Sequence, residues 1–431
     1  MLHQWCASSP AAKTVGVYLV AKRPVAGGIR RYLGPVDPVA RALTWATVAA
    51  SVSKGVFFSV SVLFFTRVAG FTAATVGYGL TIAGAAAVGA AMGAGYLART
   101  FGARRVLLAV TAGQGLALAS YLVVRTPAAF VIVACAAVGQ QAMQRTALAT
   151  MIAESFTGRD RVEVRARLRV VTNVSIAAGT ALAAVALAIG TTPAYMLAML
   201  TTSALLLASA LPLSRVRGIA EPVDRPQMRA RGRSPLFDRT YLAATCLYAV
   251  MTMQFGILTV GVPLWVAGWT KAPTVTVPAL LALNTVIVSL LQVWAARGAN
   301  TLYSAGRAVA QAGTLLAVAC GLYATAAHGA VTVMIVALTL ATIAHSFAEI
   351  LSEAGGWTLA FDLADPANAG AYQGVNQTGM AVGTMLAPLV VTTTAIEHGT
   401  AGWAALATLF LITGLSTQRL VRWHHGHASS A

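Results

Sequence analysis

The residues able to do chemistry in this sequence are ionisable side chains stranded inside long apolar runs. Lys54 stands alone in LTWATVAASVSKGVFFSVSVLFF, and Arg145 lies in AAFVIVACAAVGQQAMQRTALATM. His345, Glu349 and Glu353 recur at i, i+4 and i+8 in IAHSFAEILSEAGG. On a helix that spacing puts the three on one face, and it puts Gln141 on the face of Arg145. A carboxylate and a guanidinium in such surroundings can pair, or the carboxylate can take up and release a proton. A histidine one turn away can relay that proton. A buried lysine either pairs with an acid on another segment or receives an anionic or carbonyl-rich solute.

The elements that must position these groups are membrane helices. Of 431 residues, 58% are hydrophobic and only 10% charged, against about 25% charged in an average soluble chain. Twelve apolar segments are each long enough to cross a bilayer, at about 43–66, 76–98, 106–124, 128–152, 166–190, 193–213, 240–267, 274–295, 307–326, 330–354, 373–395 and 401–420. The expected fold class is an all-α polytopic membrane protein of twelve transmembrane helices in two six-helix halves. The halves cover 42–213 and 240–420, with a basic N-terminal tail at 1–41, a central loop at 214–239 and a C-terminal tail at 421–431.

Loop arginines set the orientation. Arg99, Arg104 and Arg105, the run Arg159–Arg169, the arginines of 215–239, Arg297, Arg307, Arg419 and Arg422 fall on one side, against Arg67, Arg125 and Lys271 on the other. Both termini and the central loop are therefore expected in the cytoplasm. The net charge of +18 follows this topology, so it does not point to nucleic acid. Only four of thirty basic residues are lysine in an alanine-rich chain, which points to a GC-rich bacterial gene and a bacterial plasma (inner) membrane. Cys6, Cys135, Cys246 and Cys320 have no metal or redox spacing. His424, His425 and His427 read as a solvated tail, and no metal or cofactor is expected. No GxxxxGK[ST], HExxH or GxSxG is present, so neither direct ATP use nor hydrolytic chemistry is expected.

The two halves echo each other. Gly179-Thr180-Ala181-Leu182-Ala183 returns as Gly383-Thr384-Met385-Leu386-Ala387, and at that same offset Arg145 falls on Glu349. The first segments of the halves align Gly55 with Gly256 and Leu63 with Leu264. Internal repeats of this kind point to a binding site between halves near the midplane.

Between segments two and three stands Gly95-Tyr-Leu-Ala-Arg99-Thr100-Phe-Gly102-Ala103-Arg104-Arg105. It resembles the major facilitator superfamily signature Gly-x-x-x-Asp-Arg-x-Gly-Arg-Arg, with Gly95, Gly102, Arg104 and Arg105 in register. The signature acid is Arg99 and the arginine after it is Thr100, so this chain departs from the family at its inner gate. RTALA, VRARLRVVTNVSIAAG and AEILSEAGGWTLAFDLA with AYQGV resemble bacterial drug-efflux-type members. The resemblance covers about 42–420. It implies that segments 1, 4, 7 and 10 line a cavity and that segments 2, 5, 8 and 11 join the halves. The small-residue faces Gly89/Gly93, Ser175/Gly179/Ala183 and Gly379/Gly383 are expected in that junction.

On this reading Glu349, Arg145, Lys54 and His345 are the coupling and cavity charges, with Gln141, Gln254 and Asn376 as polar cavity residues. Arg145 pairs with Glu349 or with a carbonyl, and Lys54 pairs with Glu349 or meets substrate. Glu353, nearer the surface, is simply solvated. Trp265, Trp269, Trp357, Trp403 and Trp423 belong to interfacial belts. The expected activity is proton-coupled efflux of small lipophilic molecules, such as antibiotics or natural products, by a monomer in the lipid bilayer. The alternatives are uptake or facilitated passage of a small, possibly anionic solute, and, from another class, a non-transporting membrane scaffold or sensor.

Overall fold

The structure, a computed structural model, describes residues 37–215, 234–273 and 275–428. Every regular element among the described residues is helical. We number the long helices in order: α1 Pro38–Leu63, α2 Ala73–Phe101, α3 Ala103–Ser120, α4 Pro127–Ser155, α5 Arg159–Ile189 and α6 Thr192–Arg215. After a short 3-10 turn at Pro235–Phe237 come α7 Arg239–Trp269, α8 Thr276–Gly298, α9 Leu302–Thr325, α10 Val331–Asp362, α11 Ala369–Val391 and α12 Glu397–Ala428. Single π turns extend α1 at Phe64–Val68, interrupt α7 at Ile257–Gly261 and extend α11 at Thr392–Ile396.

Among the described residues, ten stretches are long and apolar enough to cross a membrane. One of them, Pro366–His424, holds both α11 and α12, which part at the left-handed Gly399 (φ 58°). α3, with 18 residues and Arg104 and Arg105 in its first turn, is not among the ten. The helix starts are written in the sequence. Thr72, Thr126, Asp238 and Thr301 cap α2, α4, α7 and α9 by accepting a hydrogen bond from a first-turn backbone N–H. Gly102 (φ 88°) and Gly158 (φ 51°) take the turns before α3 and α5, where a side chain would be strained.

Several boundaries differ from expectation. The stretch GRDRVEVRARLR is not a turn, because α5 starts at Arg159. Val162, Val164, Ala166 and Leu168 are buried on opposite sides of the helix and Glu163 pairs with Arg167 one turn on (2.8 Å), so the charged run is a packed first half of the helix. α10 continues through AGGWTLAF to Asp362, with Gly355 and Gly356 packed against α9 and Tyr248. The central loop expected at 214–239 shrinks from both ends. Its residues 216–233, the tail residues 1–36 and residues 429–431 lie outside the described residues. The C-terminal tail expected from 421 is helical to Ala428.

Close backbone crossings hold each set of six helices together. In lipid there is little hydrophobic drive between helices, so glycine crossings and packed rings carry association. Gly55 of α1 lies against Ile176 and Gly179 of α5, with no space for a side chain on either glycine. Gly256 of α7 meets Ala387 of α11, and Gly383 of α11 meets Ala249 and Thr252 of α7. The echoed glycines thus make equivalent crossings, first helix over fifth in each set. This corrects the placement of two small-residue faces. The α5 and α11 faces pack within their own sets, while Gly89 and Gly93 have nothing within 4 Å beyond their own helix. Aromatic clusters complete each set: Phe64, Phe65, Tyr121 and Phe130 in the first, Trp265, Tyr323, Trp403 and Phe410 in the second.

The sets meet through α2 with α11, α4 with α11, α5 with α8 and α5 with α10. The closest approach is Gly95 of α2 to Gly370 and Gly374 of α11. A Cβ on Gly370 would stand 2.7 Å from the Gly95 carbonyl oxygen, and one on Gly374 3.1 Å from the Gly95 Cα. This junction lies at the end of the bundle where the arginine-bearing turns are, here called the basic end.

Candidate functional site

The central contact of the site is an ion pair between the sets. Arg169 Nη2 donates to Glu349 Oε1 at 3.0 Å. Arg169 lies ten residues into α5, about 15 Å from its start, and Glu349 thirteen residues before the end of α10, about 20 Å in. Glu349 Oε2 accepts from Asn284 Nδ2 of α8 at 3.1 Å, and Asn284 also donates to Ser346 at 3.0 Å. One carboxylate therefore ties α5 to α8 and α10. Its side chain is 5% exposed, that of Arg169 35%, so the pair has one buried partner and one that water reaches.

A second buried carboxylate lies one turn below. Glu353 accepts from Tyr248 Oη of α7 (3.0 Å) and from Trp357 Nε1 (3.2 Å). Arg165 of α5 sits over the Trp357 ring, 4.0 Å from its centroid. Glu353 is 5% exposed, which corrects its reading as a solvated surface acid: α10 runs on to Asp362 and keeps this turn inside. At the edge, Glu163 of α5 accepts from Arg297 of α8 at 3.1 Å.

Arg145 is not the partner of Glu349; Arg169 holds that place. Position 169 looked like a topology-setting loop arginine only while α5 was taken to begin at 166. With α5 starting at Arg159, Arg165 and Arg169 share a face and turn into the bundle. Arg145 makes no hydrogen bond or ion pair among the described residues, nor does Lys54, whose Nζ lies 5.4 Å from the centroid of Phe58. The charges of Arg145 and Arg169 act on Lys54, and those of Arg145 and Arg169 on Arg165. Lys54 of α1 and Arg165 of α5 are thus each within electrostatic reach of Arg145 of α4 and Arg169 of α5. Arg145 is nonetheless exposed to solvent ten residues inside α4. We take the opening beside this exposed guanidinium as the cavity.

The remaining expected residues scatter. His345 is fully buried with neither ring nitrogen hydrogen-bonded, 6.5 Å from the Tyr323 ring and without a bond to Glu349. Gln254 is buried with an unpartnered Oε1, Asn376 points Nδ2 at the Met380 sulfur (3.9 Å), and Gln141 is half-buried one turn from Arg145. Trp265 and Trp403 are core residues, with Trp265 Nε1 donating to the Tyr323 carbonyl (2.8 Å). With Trp357 also buried, Trp269 and Trp423 are the exposed tryptophans of the five. Arg165, Arg169 and Tyr248 are the site residues that spacing did not single out.

The turn after α2 is anchored to the end of α6. Arg104 donates from Nε to the Leu213 carbonyl (3.0 Å) and from Nη2 to the Ser214 carbonyl (2.7 Å), filling acceptors left open at the end of α6. Arg99, where the signature has an acid, reaches Asn368 Oδ1 at 3.5 Å, just before α11. Arg99–Asn368, Gly95–Gly370, Glu163–Arg297, Arg165–Trp357 and Arg169–Glu349 all join the sets between the basic end and the middle of the bundle. Beyond them Arg145 is exposed and Lys54 half-buried.

The family model of the Major Facilitator Superfamily matches residues 43–388. The chain belongs to the major facilitator superfamily. Its architecture accordingly resembles solved structures with little sequence in common. A bacterial homologue of the iron transporter ferroportin, in an outward-facing state, superposes with a TM-score of 0.67 at 13% identity, over 90% of this chain and 99% of that one. The E. coli fucose:proton symporter gives 0.64 at 12%, over 89% and 98%. The human organic anion transporter MFSD10 gives 0.63 at 15%, over 90% and 100%. No curated protein matches the chain at the level of sequence. Members of this superfamily are transporters rather than enzymes, and this one is a multi-pass integral membrane protein handling small molecules.

Proposed function

We propose that the protein is a secondary active exporter that works by alternating access, with Glu349 as the proton-binding switch. The observation that carries the reading is the Arg169–Glu349 pair, placed where the sets of helices meet and where the cavity ends. Opening the basic end requires α5 to separate from α8 and α10, and so requires this pair to break. A proton on Glu349 removes the charge that holds Arg169. Proton binding and opening of the basic end are then one linked event. By the positive-inside rule the basic end, with its arginine-rich turns, is the cytoplasmic end in this reading, so the cavity faces outward and both termini lie inside.

Outward transport is supported by the resemblance of RTALA and the α5 and α10 sequences to efflux-type members. The cargo is a small molecule with apolar bulk, such as an antibiotic or natural product, exchanged for protons by a protein working as a monomer. The test is a susceptibility panel in an efflux-deficient bacterial host expressing wild type, Glu349→Gln or Lys54→Ala at matched membrane levels. Resistance to a subset of compounds that disappears in Glu349→Gln is expected. Equal resistance in wild type and Glu349→Gln overturns Glu349 as the switch. Concentrative uptake of the same compounds overturns export.

A further inference from the structure

Charge around the cavity is unbalanced. Lys54, Arg145, Arg165 and Arg169 face two carboxylates, Glu349 and Glu353. Glu349 is taken by Arg169 at 3.0 Å, and Glu353 lies beside Arg165, which stacks on its neighbour Trp357. Two cations, Lys54 and Arg145, are left without an acid, a carbonyl or a hydroxyl acceptor among the described residues. An unpaired charge within a membrane bundle is costly and marks a pathway. Two adjacent like charges are costlier still, and a third, Arg169, reinforces them. Water in the cavity lowers that cost, but a bound anion would remove it.

The walls beside the cations are apolar. Phe58, one turn beyond Lys54, is exposed and carries the ammonium over its ring. Phe255 of α7 lies 5.4 Å from the Arg169 guanidinium on the other side. An aromatic face next to an unpaired cation fits a ligand with one charged end and one flat apolar body. A bare inorganic anion would leave the rings unused, and a cationic lipophile would meet repulsion from Lys54 and Arg145, which no acid offsets.

We propose that Lys54 and Arg145 are the anion-binding site of the cavity and that the molecule carried is a small amphipathic organic anion, a carboxylate or sulfonate on an apolar body. This rests on the transporter reading above, but its test needs no transport. In a variant lacking Cys6, Cys135, Cys246 and Cys320, a single cysteine is placed at Gln141, one turn from Arg145, or at Phe58, one turn from Lys54. The full chain is reconstituted in phosphatidylcholine vesicles. The cysteine is then labelled with the anionic ethylsulfonate and the cationic ethyltrimethylammonium methanethiosulfonates. A cleft lined by one sign of charge raises the local concentration of the opposite sign by tenfold or more. The expected result is at least about tenfold faster labelling by the anionic reagent, after correction for intrinsic reactivity, falling towards parity in Lys54→Ala/Arg145→Ala.

2-Naphthoate should slow labelling, and the neutral 2-naphthamide should not. Parity of the two reagents with both cations present, faster cationic labelling, or no labelling by either overturns the proposal. Protection by phosphatidylglycerol added to the vesicles, with none by 2-naphthoate, assigns the site to a lipid headgroup and overturns the solute. Protection by neither overturns the organic-anion assignment. The proton-switch reading fails on a different measurement, loss or retention of resistance in Glu349→Gln, so the two failures are distinguishable.

Discussion

Glu349→Gln should loosen the closed basic end. Glutamine keeps the volume and can still accept from Asn284, so the perturbation is the charge facing Arg169 at 3.0 Å. Breaking a fully buried pair costs about 3–5 kcal/mol, because the surviving charge is left uncompensated. Here the Arg169 side chain is 35% exposed, so water takes up part of that loss and about 2 kcal/mol is the reasonable figure. If the pair exists only when the basic end is closed, about 2 kcal/mol shifts the closed-to-open ratio about 30-fold. Spin labels at Phe101, at the end of α2, and Tyr303, at the start of α9, report that ratio, since both are exposed at the basic end of opposite sets. Double electron–electron resonance on wild type should give one short distance. Glu349→Gln should add a longer population, and Arg169→Gln should add the same one. An unchanged distribution in both variants would refute the pair as the latch of the basic end.

Two glycine substitutions should fail in different ways. Gly55→Val strikes the Ile176 backbone within the first set and should lower the unfolding temperature in detergent by several degrees, whereas Gly95→Val strikes Gly370 between the sets and should shift the labelled distance distribution with a smaller effect on unfolding. His345→Leu should leave proton-coupled transport intact and be neutral or stabilising, because the buried ring has no hydrogen bond to lose; loss of coupling would restore the relay role expected from its spacing. Trp357→Phe removes one donor from Glu353 and should destabilise by about 1–3 kcal/mol, read as a drop in thermal stability, with Tyr248→Phe producing a comparable drop.

Much of the architecture was legible because membranes demand simple patterns. Apolar runs located most of the long helices, and the recurrence of Gly179 as Gly383 pointed to a repeat that the structure explains as equivalent crossings. The site was legible only in part. Glu349 was found by its position in an apolar run, but its partner was not, because a charged run such as RDRVEVRARLR reads as solvated until its alternate burial against a neighbouring helix is known. Arg169 differs from Arg167 only in which way the helix turns it: one meets Glu349, the other Glu163 at the edge. Glu353 and the tryptophans were misplaced for a related reason. Nearness to a span end was taken for exposure, whereas α10 runs eight residues past the expected end at 354 into packed protein, ending at Asp362.

The most direct test of the central claim is proton movement in liposomes reconstituted with purified protein and loaded with a pH-sensitive dye, on addition of a compound to which the wild type confers resistance. The account predicts a compound-dependent pH change in the lumen with wild type, none with Glu349→Gln, and binding of the compound retained by that variant. A pH change of equal size in Glu349→Gln would contradict it.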